Sequence, residues 1–244
     1  MAHDVQTIRA LFPLRNGTLL LDTDRNPIRF DPATGSFGTG LPVHDDARQV
    51  KPLGLLPDGS LCLQSWNAET ATGELNPCYF DQFDGIQSKP LADPPPAAAY
   101  SLLFATRNGD LWLSGNRGMA WYHEKKWRVF PVSEQAVPEA VLGFTELPDG
   151  RMIWCATQDR LWEFDGRNWL STYAGFDHIN ALQCTRDGSG WVADDAGVHR
   201  FFQKAWIGNS REEGLPDATV HEIFEDQGGH IWAATPHGLS RYHP

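Results

Sequence analysis

The chain is poor in cysteine, in cations and in long apolar runs. Its four cysteines in 244 residues, Cys62, Cys78, Cys155 and Cys184, form neither a dense disulfide framework nor a close metal-ligand pair. Cys62, Cys155 and Cys184 lie in apolar strand patterns, where a reduced, buried thiol is the plain expectation. Lys and Arg number 20 against 31 Asp and Glu, for a formal charge of −11. That balance argues against non-specific binding to duplex DNA or to an anionic membrane, so neither nucleic acid nor membrane is expected as a partner. No stretch approaches the roughly 18 apolar residues that suggest a membrane span. The opening residues show no basic region followed by an apolar run, and a cytoplasmic location is expected.

Catalytic signatures are also missing. The sequence contains no G-x-S-x-G elbow, no P-loop and no H-E-x-x-H pair. Asp194–Asp195 and Glu225–Asp226 are adjacent acids, and neighbours on a strand point to opposite faces. Both pairs are therefore expected at the solvent surface or in turns. Six of the nine histidines fall between positions 178 and 243, but His178, His199 and His221 occupy different repeat columns, whereas zinc needs convergent ligands. No catalytic residue, metal or cofactor is assigned, and a non-enzymatic chain is expected.

What the chain does have is tryptophan, ten residues of it, within a 41% hydrophobic composition. Aromatic residues suit pleated, half-buried surfaces, and here they recur. Asn16–Gly17, Asp58–Gly59, Asn108–Gly109, Asp149–Gly150, Asp187–Gly188 and the Gly228–Gly229 pair each read as a hairpin turn between two apolar runs, with glycine taking positive φ. The glycines lie 42, 50, 41, 38 and 41 residues apart. That period, with its strand content, predicts an all-β chain: a single β-propeller over residues 1–244, of six blades with four antiparallel strands each. The approximate blades are 7–48, 49–98, 99–139, 140–177, 178–217 and 218–244. The last lacks residues for a fourth strand, so an incomplete blade with an exposed edge is expected. In the fourth copy one additional residue separates turn and tryptophan, as a β-bulge would accommodate.

Aligned columns place Trp112, Trp154, Trp191 and Trp232 in second strands and Tyr122, Phe164, Phe201 and Tyr242 in third strands. These eight are the expected structural core, interlocking between blades. Near the start of the first strands stand Arg9, Lys51, Ser101, Leu142, Asn180 and His221, five of them hydrogen-bond donors. A long insertion at 66–76, beginning with Trp66, and a proline-rich connection at 90–99 are expected on the same rim of the channel. Loops on a rigid scaffold commonly carry binding residues. Arg9, Lys51, Trp66, Ser101, Asn180 and His221 are therefore the candidate ligand- or partner-binding set.

The repeat Asp-Gly-x-x-Trp-x-x-x-Thr/Asp-x-x-Gly-Leu/Val-x-Arg-Tyr/Phe, clearest at Gly228 to Tyr242 and Asp187 to Phe201, resembles the two-component regulator propeller repeat. Trp162 to Trp169 and Gly214 to Val220 resemble that family's segments between repeats. The resemblance implies a propeller like the ligand-sensing domains of bacterial hybrid sensor kinases, although no kinase accompanies it here. The leading functional expectation is a binding module that engages another protein, with an inhibitor or immunity-type role as one version. The alternatives are a sensor for a carbohydrate or small anionic ligand, and a propeller lyase or hydrolase.

Overall fold

The computed structural model describes residues 7–24, 26–41, 48–67, 78–132, 137–148, 150 and 152–242. Most of the 66–76 insertion, Asp149 and both chain ends lie outside these residues. The fold is a six-bladed all-β propeller, each blade a small antiparallel sheet with strands in sequence order. By contact density the chain divides into two compact units, Met1–Val129 and Phe130–Pro244.

In the first unit, blade one comprises β1 (Ile8–Pro13), β2 (Leu19–Thr23), β3 (Ile28–Asp31) and β4 (Ser36–Thr39). Blade two comprises β5 (Arg48–Leu55), β6 (Leu61–Asn67), β7 (Tyr79–Phe83) and the three-residue β8 (Ser88–Pro90). Blade three comprises β9 (Tyr100–Ala105), β10 (Leu111–Gly115), β11 (Gly118–His123) and β12 (Lys126–Pro131), the last straddling the unit boundary. Leu14, Leu20, Leu61, Leu63 and Phe83 form one buried cluster. Leu53, Cys62, Phe80, Tyr100, Leu103 and Leu113 belong to another.

The second unit continues with β13 (Gly143–Glu146), β14 (Ile153–Ala156), β15 (Arg160–Phe164) and β16 (Trp169–Ala174). Next come β17 (Ala181–Cys184), β18 (Gly190–Asp194), β19 (Gly197–Phe202) and β20 (Ala205–Asn209). The last sheet holds only β21 (Glu222–Glu225), β22 (Ile231–Thr235) and β23 (Gly238–Tyr242). Among the described residues no fourth strand pairs with β23. Trp154, Leu161, Ile179 and Val192 fill one cluster of this unit, and Trp191, Val198, Val220 and Ile231 another.

The first hairpin of each blade shows how sequence sets register. Leu14 N–H donates to the Thr18 carbonyl at 2.8 Å and Gly17 N–H to the Leu14 carbonyl at 3.0 Å. This is a three-residue loop closed by a left-handed glycine, with φ 82° at Gly17. The Asn16 side chain accepts the Thr18 N–H at 3.1 Å, and Asp58, Asn108 and Asp187 do the same for the residue two positions on. The fourth blade departs from its expectation. Its extra residue enlarges the turn, where Leu147 N–H donates to the Met152 carbonyl, while β13 and β14 pair without a register shift. No bulge is needed there, because a loop absorbs an insertion more cheaply than a ladder does.

Trp112, Trp154, Trp191 and Phe164 are buried, while Trp232, Tyr122, Phe201 and Tyr242 are partly buried. Asp194 corrects the surface expectation for the acid pairs, being only 1% exposed. Its carboxylate accepts N–H groups from Asp177, Ala196 and Gly197 and a hydrogen bond from His199 at 2.9 Å. Burial alone would raise its pKa, but the bond from His199 and those from the backbone hold it below the usual carboxylate range. In the other pair, Asp226 is a turn residue and Glu225 pairs with Arg186 at 3.2 Å.

A candidate ligand cleft in the first unit

Three first strands carry irregularities where the candidate polar residues stand. In β1 the pairing steps from Ile8 with Thr23 to Ala10 with Asp22, leaving Arg9 as the extra residue of a bulge. Between β9 and β10 the step is from Leu102 with Ser114 to Tyr100 with Gly115, leaving Ser101. In β5 it falls at Leu53, two residues after Lys51 and next to Pro52, which has no N–H to give a ladder. Bulges re-aim side chains, and they gather near functional sites for that reason.

Two clefts open on this side of the unit. One, of about 800 Å³, is lined by Arg9, Asp22, Lys51, Ser101 and Arg107 together with apolar residues of β5 and β9 such as Leu53 and Leu103. The other, of about 740 Å³, is lined by Arg9, Asp22 and Lys51 again, now with Ile28, Val50 and Trp66. Arg9, Asp22 and Lys51 therefore sit where the two meet. Arg9 is exposed, while Lys51, Asp22 and Trp66 are partly buried. Both cations act on the Asp22 carboxyl through their charge, yet among the described residues neither makes an ion pair within 4.0 Å or a side-chain hydrogen bond.

Asp22 is electrostatically unusual. Partial burial raises its pKa above the ordinary carboxylate value, and the opposing pull of Arg9, Lys51 and the Thr23 N–H does not cancel that rise. Sequence reasoning missed this residue. A signal existed: two positions after the tryptophan column the other copies carry Gln64, Ser114, Ala156, Ala193 and Ala234, so only the first copy places an acid there.

The first unit thus brings Arg9, Lys51, Ser101 and Trp66 to adjoining clefts. Ser101 also uses its hydroxyl to donate to the Ser114 carbonyl at 3.1 Å. Asn180 and His221 belong to the second unit. There the Asn180 amide donates to Asp195 at 2.9 Å and to the Val220 carbonyl at 3.1 Å, which fixes the chain at the entrance to β21. His221 is exposed, and its N–H donates to the Ala234 carbonyl.

Comparison with known proteins places this geometry in context. No family model and no curated protein matches the chain. Solved structures do. The extracellular domain of a hybrid two-component system of B. thetaiotaomicron superposes with TM-score 0.74 at 17% identity, over 99% of this chain and 33% of that one. Virginiamycin B lyase from Staphylococcus aureus, crystallised with quinupristin, gives 0.62 at 13% identity, over 99% and 86%. A luciferin-regenerating enzyme gives 0.58 at 11% identity, over 94% and 84%. The six-bladed propeller is shared. At these identities the likeness shows the fold alone, and the chain spans about a third of the first sensor domain's length.

Two expectations are overturned. A chain that is not an enzyme no longer follows, because this fold also serves virginiamycin B lyase, a streptogramin B lyase and a luciferin-regenerating enzyme. A cytoplasmic location does not follow either, since the matched two-component and one-component domains are extracellular. Composition could not have revealed either point, because both folds and compartments accept an acidic, cysteine-poor β-chain. Among the described residues no helix is long and apolar enough to cross a membrane.

Proposed function

We propose that this chain is a small-ligand-binding module of the sensor type, which takes its ligand where Arg9, Asp22 and Lys51 meet in the first unit. The observation that carries the reading is those two cations, placed at or near bulges and lining both clefts, with no ion-pair partner within 4.0 Å among the described residues. An acidic protein that sets two cations against one carboxylate in a concave site favours an anionic or strongly polar guest. The same feature weakens the protein-docking and inhibitor alternative, since a basic partner would meet charge of its own sign in this cleft. Membership of the two-component regulator propeller repeat family is part of the proposal. It is supported by the motif at Asp187 to Phe201 and Gly228 to Tyr242, and by the fold shared with sensor domains.

A thermal-shift screen of a metabolite library tests it. A ligand present at about 100 times its Kd should stabilise the wild type by about 2.7 kcal/mol and leave the Arg9→Ala/Lys51→Ala double variant unshifted. A library in which every stabiliser acts equally on both proteins would refute the site. A catalytic version rests on Asp22, because a carboxyl with a raised pKa in a cleft suits proton transfer. In that version Asp22→Asn would still bind ligand and lose turnover.

A further inference from the structure

Among the described residues, the meeting point of the two clefts holds two cations and one carboxylate, and that ratio limits what can enter. Resting on the ligand-binding reading of the same cleft, we infer that it selects a singly charged carboxylate with an apolar body, and that Asp22 is the residue that rejects dianions. With Asp22 ionised, Arg9, Lys51 and Asp22 sum to a single positive charge. A monoanion brings the cluster to neutrality. A dianion leaves a surplus negative charge in a partly desolvated space, where like charges repel far more than in water.

The walls agree with this assignment. Ile28, Leu41, Val50 and Trp66 line the cleft beside the charged cluster, so a guest anchored by its carboxylate would lay an aliphatic or aromatic body against apolar surface. Arg9 suits the anchoring role, because a guanidinium offers two parallel N–H donors to a carboxylate and this one is not engaged by Asp22 within 4.0 Å. Lys51 supplies a second, point-like charge from the neighbouring blade. Asp22, opposite Ala10 in the β1–β2 register, feels the charge of both cations but makes no ion pair with either within 4.0 Å. It therefore stays as a standing negative charge that any ligand must tolerate.

Calorimetry on the full chain with three probes tests the inference: benzoate, succinate and inorganic phosphate, at about pH 8, where phosphate is largely dianionic. The wild type should bind benzoate about tenfold more tightly than succinate or phosphate. Asp22→Asn, which keeps the shape and removes the charge, should reduce that ratio by about tenfold; Asp22→Ser is the substitute if the amide variant does not melt cooperatively. Arg9→Ala should weaken all three. Tighter binding of a dianion by the wild type, an unchanged ratio in the Asp22 variant, or no binding of any probe would each overturn the charge-selection inference. Those three results leave the ligand-binding reading to the library screen. Benzoate binding that survives Arg9→Ala would place the carboxylate elsewhere and count against both.

Discussion

Single residues show how little slack the packing leaves. A Cβ added to Gly54 would stand 2.2 Å from the Leu103 carbonyl oxygen, so β5 and β9 can approach only with glycine at this place. Gly54→Ala should cost about 1–3 kcal/mol as an overpacking change, read from a denaturant melt. Gly109 offers the control: its φ is 91° with nothing within 4 Å, and Gly109→Ala should cost about 1–2 kcal/mol from backbone strain alone. Trp191, 3% exposed, should lose about 3–5 kcal/mol on change to Ala. A loss below about 0.5 kcal/mol, the range of ordinary surface changes, would remove it from the core. Asp187 gives a pH test. Burial works against its charge, yet bonds from Thr185, Ser189 and Arg200 bring its pKa down to about 2. A carboxyl depressed from about 3.9 in the unfolded chain stabilises the fold above that value, and the contribution fades as pH falls from there towards 2. Asp187→Asn should therefore flatten the acid limb of the stability curve in that window.

At the level of strands and turns, the repeat was readable because each hairpin reuses the same chemistry. An Asn or Asp one place before glycine both accepts a local N–H and leads into the left-handed position, so Asn16–Gly17, Asp58–Gly59 and Asn108–Gly109 announced their turns. The bulges at Arg9, Leu53 and Ser101 were not readable. A bulge is a relation between two strands, and one strand's pattern of apolar residues tolerates it silently. Asp22 was legible only as the one acid in its repeat column; the register that sets it opposite Ala10 was not. Among the described residues nothing pairs with the outer edge of β23, and that edge can be tested. Leu239 is 65% exposed there, and Leu239→Lys should change stability by no more than about 0.5 kcal/mol. The same variant should self-associate less in sedimentation, since lysine on an edge strand discourages pairing with another chain.

For the whole molecule, the aromatic columns and the forty-residue period disclosed the fold, while chemistry stayed hidden. A propeller's packing demands recur in every blade, so they are written six times. The proposed binding site is written once, by residues from β1, β2 and β5 that are not adjacent in sequence. The Arg9→Ala/Lys51→Ala variant should accordingly melt within about 0.5 kcal/mol of wild type, because among the described residues neither side chain makes a hydrogen bond or an ion pair within 4.0 Å. Gln64 is the opposite case. Buried in β6, its amide donates to the Ala98 carbonyl at 2.6 Å and accepts the Tyr100 N–H at 3.0 Å, much as another strand's backbone would. The Tyr100 hydroxyl adds a bond to the Pro96 carbonyl at 3.0 Å. Blade three is thus moored at its first residue by a side chain of blade two. Asp93 adds a second tie, its carboxylate accepting the Tyr122 hydroxyl at 2.7 Å and its carbonyl the Trp127 ring N–H at 3.2 Å. For an engineer, the connection from Leu91 to Pro96 is therefore a clasp to be kept whole rather than a place to graft peptides.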